Sequence, residues 1–223
     1  MIILIDIDNT LIDFAKCSEQ AIIEIFEEYD IPYTPDVFST FTRENIAIWK
    51  RLEQGEIDKK YLKENRWNII LGKLGIEADG AVFEELFEGK IASSAYEVDG
   101  AEDLLNYLSR KYDLYVVSNG FRAVQENRLS ISGFDRFFKK LFLSEDIGIS
   151  KPAREFFDYC FAELGNPEKE NVILIGDSMS ADITGGNSYG IKTIWFNKNN
   201  EKCPDNVKPD YIVRALSEIT EII

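Results

Sequence analysis

The 223 residues are 45% hydrophobic, which supplies a sizeable core for one or two domains. Lys and Arg number 25 against 40 Asp and Glu, a net charge of −15. That balance repels a long phosphate backbone and excludes a nucleic acid polymer as partner, while a small anionic substrate stays open if a divalent cation neutralises the site. There is no histidine, so a histidine-based triad, a histidine zinc site and a phosphohistidine are excluded, and proton transfer falls to carboxylates, Lys, Tyr or Cys.

The first predicted element, Ile2 to Ile7, is a short apolar, β-branched run, as in a strand buried on both faces of a parallel sheet. The opening MIILIDIDNT lacks a basic stretch and meets an acid at Asp6, which suits neither a signal peptide nor a membrane span. From about Phe14 to Ala95 no comparable strand appears. Ala21, Ile22, Ile25, Phe26 and Tyr29 recur at helical spacing, and residues 41–54, 57–73 and 81–93 continue in that style, with turns at Gly55 and Gly75. Residues 15–95 are therefore expected to form a helical domain inserted after the first strand, with 1–14 and 96–223 forming the core.

Near Val98-Asp99-Gly100 the pattern changes to alternating helices and strands. A helix over 101–110 precedes the strand Leu114–Val117, and a helix over 122–132 precedes Leu141–Leu143. Phe156, Phe157, Cys160, Phe161 and Leu164 make a helical stripe before the strand Val172–Ile175. Helix 180–189, strand 191–196 and a last pair at 211–223 complete the chain. This rhythm predicts an α/β fold with a right-handed, doubly wound parallel sheet. Cys17, Cys160 and Cys203 are odd in number and form no Cys-x-x-Cys pair, so they read as reduced thiols. The expectation is a soluble cytoplasmic protein, monomer or homodimer, with no membrane partner.

Ligands in such sheets bind past the carboxyl ends of the strands. There the sequence places Asp6 and Asp8, then Ser118-Asn119-Gly120, then Lys151-Pro152, then Gly176-Asp177 with Asp182 five residues on. Each also has an ordinary reading: an Asp after a strand caps or turns, Ser118 caps a helix, Lys151 is a solvated surface residue, and Asp177 or Ser180 is an N-cap. Lys151 is expected to open a helix with Pro152 in its first turn, where a cation opposes the helix dipole unless an anion binds. Taken together, the four strand ends carry the parts of phosphoryl transfer: a nucleophile, a proton donor, phosphate clamps and a metal holder.

In order and spacing these motifs resemble the haloacid dehalogenase (HAD) superfamily over essentially the whole chain. Asp6-Ile7-Asp8-Asn9-Thr10-Leu11 is similar to its first motif, Ser118 to the second, Lys151-Pro152 to the third, and Gly176-Asp177 with Asp182 to the fourth, while 15–95 resembles the helical C1 cap. The resemblance implies a Rossmann-like core and a phosphohydrolase in which Asp6 forms an aspartyl-phosphate and Asp8 is the general acid and base. It implies Mg2+ held by Asp6, the Asp8 carbonyl and Asp177, with Asp182 in support, and a phosphoryl group held by Ser118, the Asn119 backbone and Lys151.

Ser118-Asn119-Gly120-Phe121, Ile149-Ser150-Lys151-Pro152, the run Asp182 to Asn187, Trp195-Phe196-Asn197 and Trp49 to Ile57 are similar to the pyrimidine 5′-nucleotidase branch. That branch implies a nucleoside monophosphate as the small phosphorylated substrate, with Phe14, Phe41, Arg43, Trp49, Arg51 and Trp67 available to meet base and ribose. Aromatics at helical spacing are also ordinary core residues. Gly185-Gly186 is expected to serve close packing on the sheet. A sugar phosphate or acylneuraminate phosphatase with this cap is the alternative. A 2-haloacid dehalogenase needs no metal and generally lacks the acid at Asp8, a phosphosugar mutase is disfavoured by the absence of a basic cluster after Asp13, and a receiver module carries no cap.

Overall fold

The computed structural model describes residues 1–223, which divide into two compact units: Phe14–Ser94, and Met1–Asp13 together with Ala95–Ile223. The first unit is all-helical: α1 (Phe14–Glu28), α2 (Pro35–Glu53), α3 (Lys59–Leu74) and α4 (Gly80–Ala92). Asp58 caps α3 by accepting the Tyr61 amide at 2.7 Å, and Asp79 caps α4 by accepting the Ala81 amide at 2.9 Å. Gly75, at φ +69°, ends α3 in the left-handed conformation that glycine adopts without steric cost. α2 starts at Pro35, ahead of the expected start at 41, because Pro35 and Asp36 make a favourable first turn before the apolar stripe.

Apolar faces of all four helices meet on an aromatic core of Phe26, Phe41, Trp67, Phe83 and Phe87. Phe41 and Trp67, expected as candidates for substrate stacking, are thus buried packing residues. Among them Arg66 makes paired hydrogen bonds to Glu84, at 3.0 and 2.5 Å, and one to Asn45 at 3.3 Å. Burial raises the Glu84 carboxyl above its ordinary range, against the pull of Arg66.

The second unit holds six strands, β1 (Ile2–Ile5), β2 (Asp113–Ser118), β3 (Phe138–Leu143), β4 (Val172–Gly176), β5 (Lys192–Phe196) and β6 (Tyr211–Val213). They form one sheet in the order β3-β2-β1-β4-β5-β6, with every neighbouring pair parallel. This is the Rossmann-like, doubly wound sheet that the alternation predicts. β1 sits in the middle, its residues 2–5 registered against 113–116 of β2 and 172–175 of β4. Burial on both faces explains the unbroken aliphatic character of β1 and β4. β3 starts at Phe138, earlier than the expected 141, because Lys139 and Lys140 near its start are exposed and hide it from an apolar pattern.

The connecting helices are α5 (Ala101–Ser109), α6 (Arg122–Ser132), the short α7 (Ser144–Ile147), α8 (Arg154–Glu163) and α9 (Thr184–Tyr189). Phe156, Phe157, Cys160 and Phe161 of α8 pack with Leu4, Val117, Phe142, Leu174 and Tyr189 in one core cluster. The expected helix over 180–189 begins instead as a π-helical turn, Met179–Ile183, that runs into α9. Gly186 belongs to close packing: a Cβ there would lie 2.6 Å from Thr193 Cγ2. No helix is long and apolar enough to cross a membrane.

Candidate active site

β1 and β4 are neighbours, and from them the sheet grows outward in both directions, through β2 and β3 on one side and β5 and β6 on the other. Open α/β sheets leave a crevice at the carboxyl ends of such a strand pair. Asp6 stands there, its amide still donating to the Ile175 carbonyl at 3.0 Å. The chain then coils into a tight turn: the amides of Leu11 and Ile12 both donate to the Ile7 carbonyl, at 2.9 and 3.0 Å, and Asn9 takes φ +58°. This turn sets Asp8 just beyond Asp6.

Lys151 approaches from the loop before α8. It lies in a turn, and the helix starts only at Arg154, so the expectation that Lys151 opens a helix is corrected. No helix dipole opposes the cation there; burial is what constrains it, since Lys151 is 1% exposed. Its Nζ donates to Asp6 Oδ1 at 2.8 Å, Asp182 Oδ1 at 2.7 Å and the Val117 carbonyl at 2.7 Å, which uses all three ammonium protons. Burial acts to lower its pKa, but Asp182 and Asp6 together hold it above the ordinary lysine value. Asn119 fixes the loop: its side chain donates to the Lys151 carbonyl and accepts from the Lys151 amide, both at 2.9 Å.

Asp177 comes directly after β4, and its carbonyl accepts the Trp195 indole N–H at 2.8 Å. Neither Asp177 nor Ser180 is the cap of the next turn; Ser178 is, accepting the Ala181 amide at 3.1 Å. Asp182, fully buried, accepts the Ser178 amide at 3.1 Å on the oxygen that Lys151 does not use. Single carboxylate oxygens of Asp6, Asp177 and Asp182 all lie within 4.8 Å of one another.

Three acids and one lysine leave this cluster short of positive charge. Burial pushes Asp6 up to about 7 despite Lys151, with Asp182 and Asp8 adding repulsion. Asp177 is raised well above its ordinary range by burial and then by Asp6 and Asp182. A hard divalent cation fits such an all-oxygen donor set, because it would offset the excess negative charge. Asp182 already serves Lys151 and a backbone amide, so it suits a supporting place around the ion better than a primary one.

Ser118 closes β2, and its buried hydroxyl accepts from the Gly120 amide at 3.0 Å and from Gln125 Nε2 at 3.1 Å. The same Gln125 Nε2 donates to Asp8 Oδ2 at 2.6 Å, and Arg128 Nη1 pairs with Asp8 Oδ1. Sequence reading missed Gln125 and Arg128, both buried, because polar residues on a helix carry no apolar periodicity. Phe14 opens α1, and Arg43 and Trp49 lie on α2; Phe14 and Trp49 are half-buried, while Arg43 is exposed and pairs with Glu44 at 2.9 Å.

This fold, with its strand-end acids and lysine, defines a hydrolase of one class: the chain belongs to the haloacid dehalogenase-like hydrolase family, whose sequence pattern matches residues 1–190. Among its relatives, YfnB of Bacillus subtilis is 35% identical over 221 residues, covering 99% of this chain and 94% of YfnB. The pyrimidine 5′-nucleotidase PynA of Streptococcus pneumoniae is 32% identical over 222 residues, 99% of this chain and 94% of PynA. The pyrimidine 5′-nucleotidase YjjG of Escherichia coli is 29% identical over 221 residues, 99% and 96% of the two chains. The crystal structure of YfnB bound to magnesium superposes with a TM-score of 0.93, covering 99% of this chain and 97% of that one.

Proposed function

We infer that this hydrolase is a Mg2+-dependent phosphomonoesterase working through an aspartyl-phosphate on Asp6, with pyrimidine nucleoside 5′-monophosphates as its substrate class. The observation that carries the reading is the buried contact of Asp6 with Lys151, inside a cluster completed by Asp177 and Asp182. Similarity to PynA and YjjG, and the magnesium in the YfnB crystal, support the substrate class and the metal.

In this reading Asp6 attacks phosphorus, and the bond from phosphorus to the ester oxygen breaks as Asp8 gives that oxygen a proton. Asp8 then takes a proton from the water that cleaves the acyl-phosphate, releasing phosphate and restoring Asp6. Ser118, the Asn119 backbone and Lys151, which gives up one of its three hydrogen bonds to do so, hold the phosphoryl oxygens, and Lys151 offsets charge that builds on them. Asp6, Asp177 and the Asp8 carbonyl would hold Mg2+, with Asp182 in support; the ion supplies the positive charge that lets a carboxylate approach a phosphate dianion. Residues 15–95 serve as the helical cap domain and 1–14 with 96–223 as the catalytic core, and Phe14, Arg43 and Trp49 are the candidates in the cap region to meet the nucleoside.

The test is phosphate release with magnesium across nucleoside monophosphates and sugar phosphates. Preference for UMP, dUMP or dTMP is the expected result. Preference for a sugar phosphate would overturn the nucleotide assignment. Full activity of Asp6→Asn would overturn the covalent mechanism.

A further inference from the structure

Two residues on the first turns of α6 reach the same carboxylate. Gln125 Nε2 donates to Asp8 Oδ2 at 2.6 Å, and Arg128 Nη1 pairs with Asp8 Oδ1. At a spacing of three they share one helix face, and Gln125 Oε1 lies 3.5 Å from Arg128 Nη1. Each carboxylate oxygen of Asp8 thus has its own donor, as in a forked clamp. Arg128 is fully buried, and removing a guanidinium from water is costly unless its partners repay it. Gln125 also donates to Ser118 Oγ at 3.1 Å, so one side-chain amide ties Asp8 to the end of β2. Gly120 makes this possible: a Cβ there would lie 2.2 Å from Gln125 Nε2 and close the path.

We propose that Gln125 and Arg128 are positioning residues that hold the Asp8 carboxyl over the ester oxygen and, after the first step, over the attacking water. The proposal rests on Asp8 being the acid and base of the proposed function. A free Asp side chain beyond the turn would sample several rotamers, whereas two donors from one rigid helix leave it one orientation. The gain is rate of proton delivery, with little effect on substrate affinity.

The experiment compares wild type, Asp8→Asn, Arg128→Lys, Gln125→Ala and the double variant Asp8→Asn/Arg128→Lys in the full-length enzyme with magnesium. Substrates are UMP, whose leaving alkoxide needs a proton, and p-nitrophenyl phosphate, whose phenolate does not. A general acid contributes about 100-fold or more, so Arg128→Lys is expected to lose roughly 30- to 100-fold in kcat on UMP, with KM little changed. The first-turnover burst of p-nitrophenol is expected to fall by less than about threefold. In the Asp8→Asn background Arg128→Lys should cost nothing further. A p-nitrophenol burst slowed as much as the first turnover of UMP, or additive losses in the double variant, would mean that Arg128 only supports the fold and would overturn the proposal. Gln125→Ala, which leaves the buried charge in place, guards against misfolding of the Arg128 variant and is expected to show the same split in weaker form. Wild type and Asp8→Asn report on the underlying reading: if Asp8→Asn shows no preference for the better leaving group, the acid assignment fails whatever Arg128 does.

Discussion

Lys151 and Asp6 are 145 positions apart in the chain and meet at 2.8 Å between Nζ and Oδ1, with Asp182 taking a second proton of the same ammonium at 2.7 Å. One buried cation therefore holds two buried acids that come from different strand ends. Lys151→Met keeps the length of the side chain and removes the charge. Asp182, at 0% exposure, is left uncompensated, and breaking a buried pair in this way costs about 3–5 kcal/mol. Urea denaturation should show that loss, and phosphate release should fall by roughly 100-fold or more as the phosphoryl clamp is lost. An unchanged urea midpoint would mean that Asp182 finds another partner.

The gathering of Asp6, Lys151, Asp177 and Asp182 was legible because a parallel sheet brings the loops after its strands to one edge, and β1 and β4 are unbroken aliphatic runs that cannot be mistaken for loops. Lys151 shows where such reading stops. Its proline suggested a helix start, while the chain uses a turn clamped by Asn119, and that clamp depends on a contact 32 residues away. Arg128 and Gln125 were hidden for a related reason. Their burial comes from pairing with Asp8 across 120 and 117 positions, and composition treats them as surface. Trp67 and Phe41 erred the other way, since helical spacing alone cannot separate a core ring from a ring that meets ligand.

Asp177 lies with Asp6 and Asp182 within 4.8 Å, three acids around one lysine. Asp177→Asn removes a buried acid whose charged form burial, Asp6 and Asp182 all oppose. In excess chelator its melting temperature is expected to exceed that of wild type by on the order of 3 °C, about what 1 kcal/mol gives in a chain of this size. In excess magnesium the order should reverse, because the ion stabilises the native protein only where its ligands are intact. Differential scanning fluorimetry in both buffers checks this, and a variant that gains as much from magnesium as wild type would contradict the role of Asp177.

Trp67 is buried among Phe41, Phe83 and Phe87, and its indole N–H has no hydrogen-bond partner. Trp67→Phe removes that stranded donor, worth about 1–3 kcal/mol, at the expense of some packing. Stability should therefore change by no more than about 1 kcal/mol, in contrast to the roughly 3–5 kcal/mol expected for Trp67→Ala. KM should stay at the wild-type value in Trp67→Phe, since the ring packs inside the helical unit. A raised KM would return Trp67 to the substrate candidates.

Cys160 sits in the core cluster with Phe156, Phe157 and Leu174, and burial pushes its thiol from the ordinary 9.0 to about 12, against the pull of Lys151. Cys203 is half-buried, with its thiol donating to the Val207 carbonyl at 3.3 Å, and Cys17 is buried. Reactivity follows thiolate fraction and access. A chromogenic disulfide reagent should therefore modify Cys203 first, and the other two only on addition of denaturant. The stability consequence has a definite sign. An acid whose folded pKa is raised releases its proton first in the unfolded chain, so Cys160 leaves stability untouched below pH 9.0 and lowers it as pH climbs from there towards about 12. Cys160→Ala should lose stability at neutral pH through the cavity it leaves, by about 1 kcal/mol, and should decline less steeply than wild type above pH 9.0. Parallel alkaline decline in the two proteins would show that the thiol ionises in the native state.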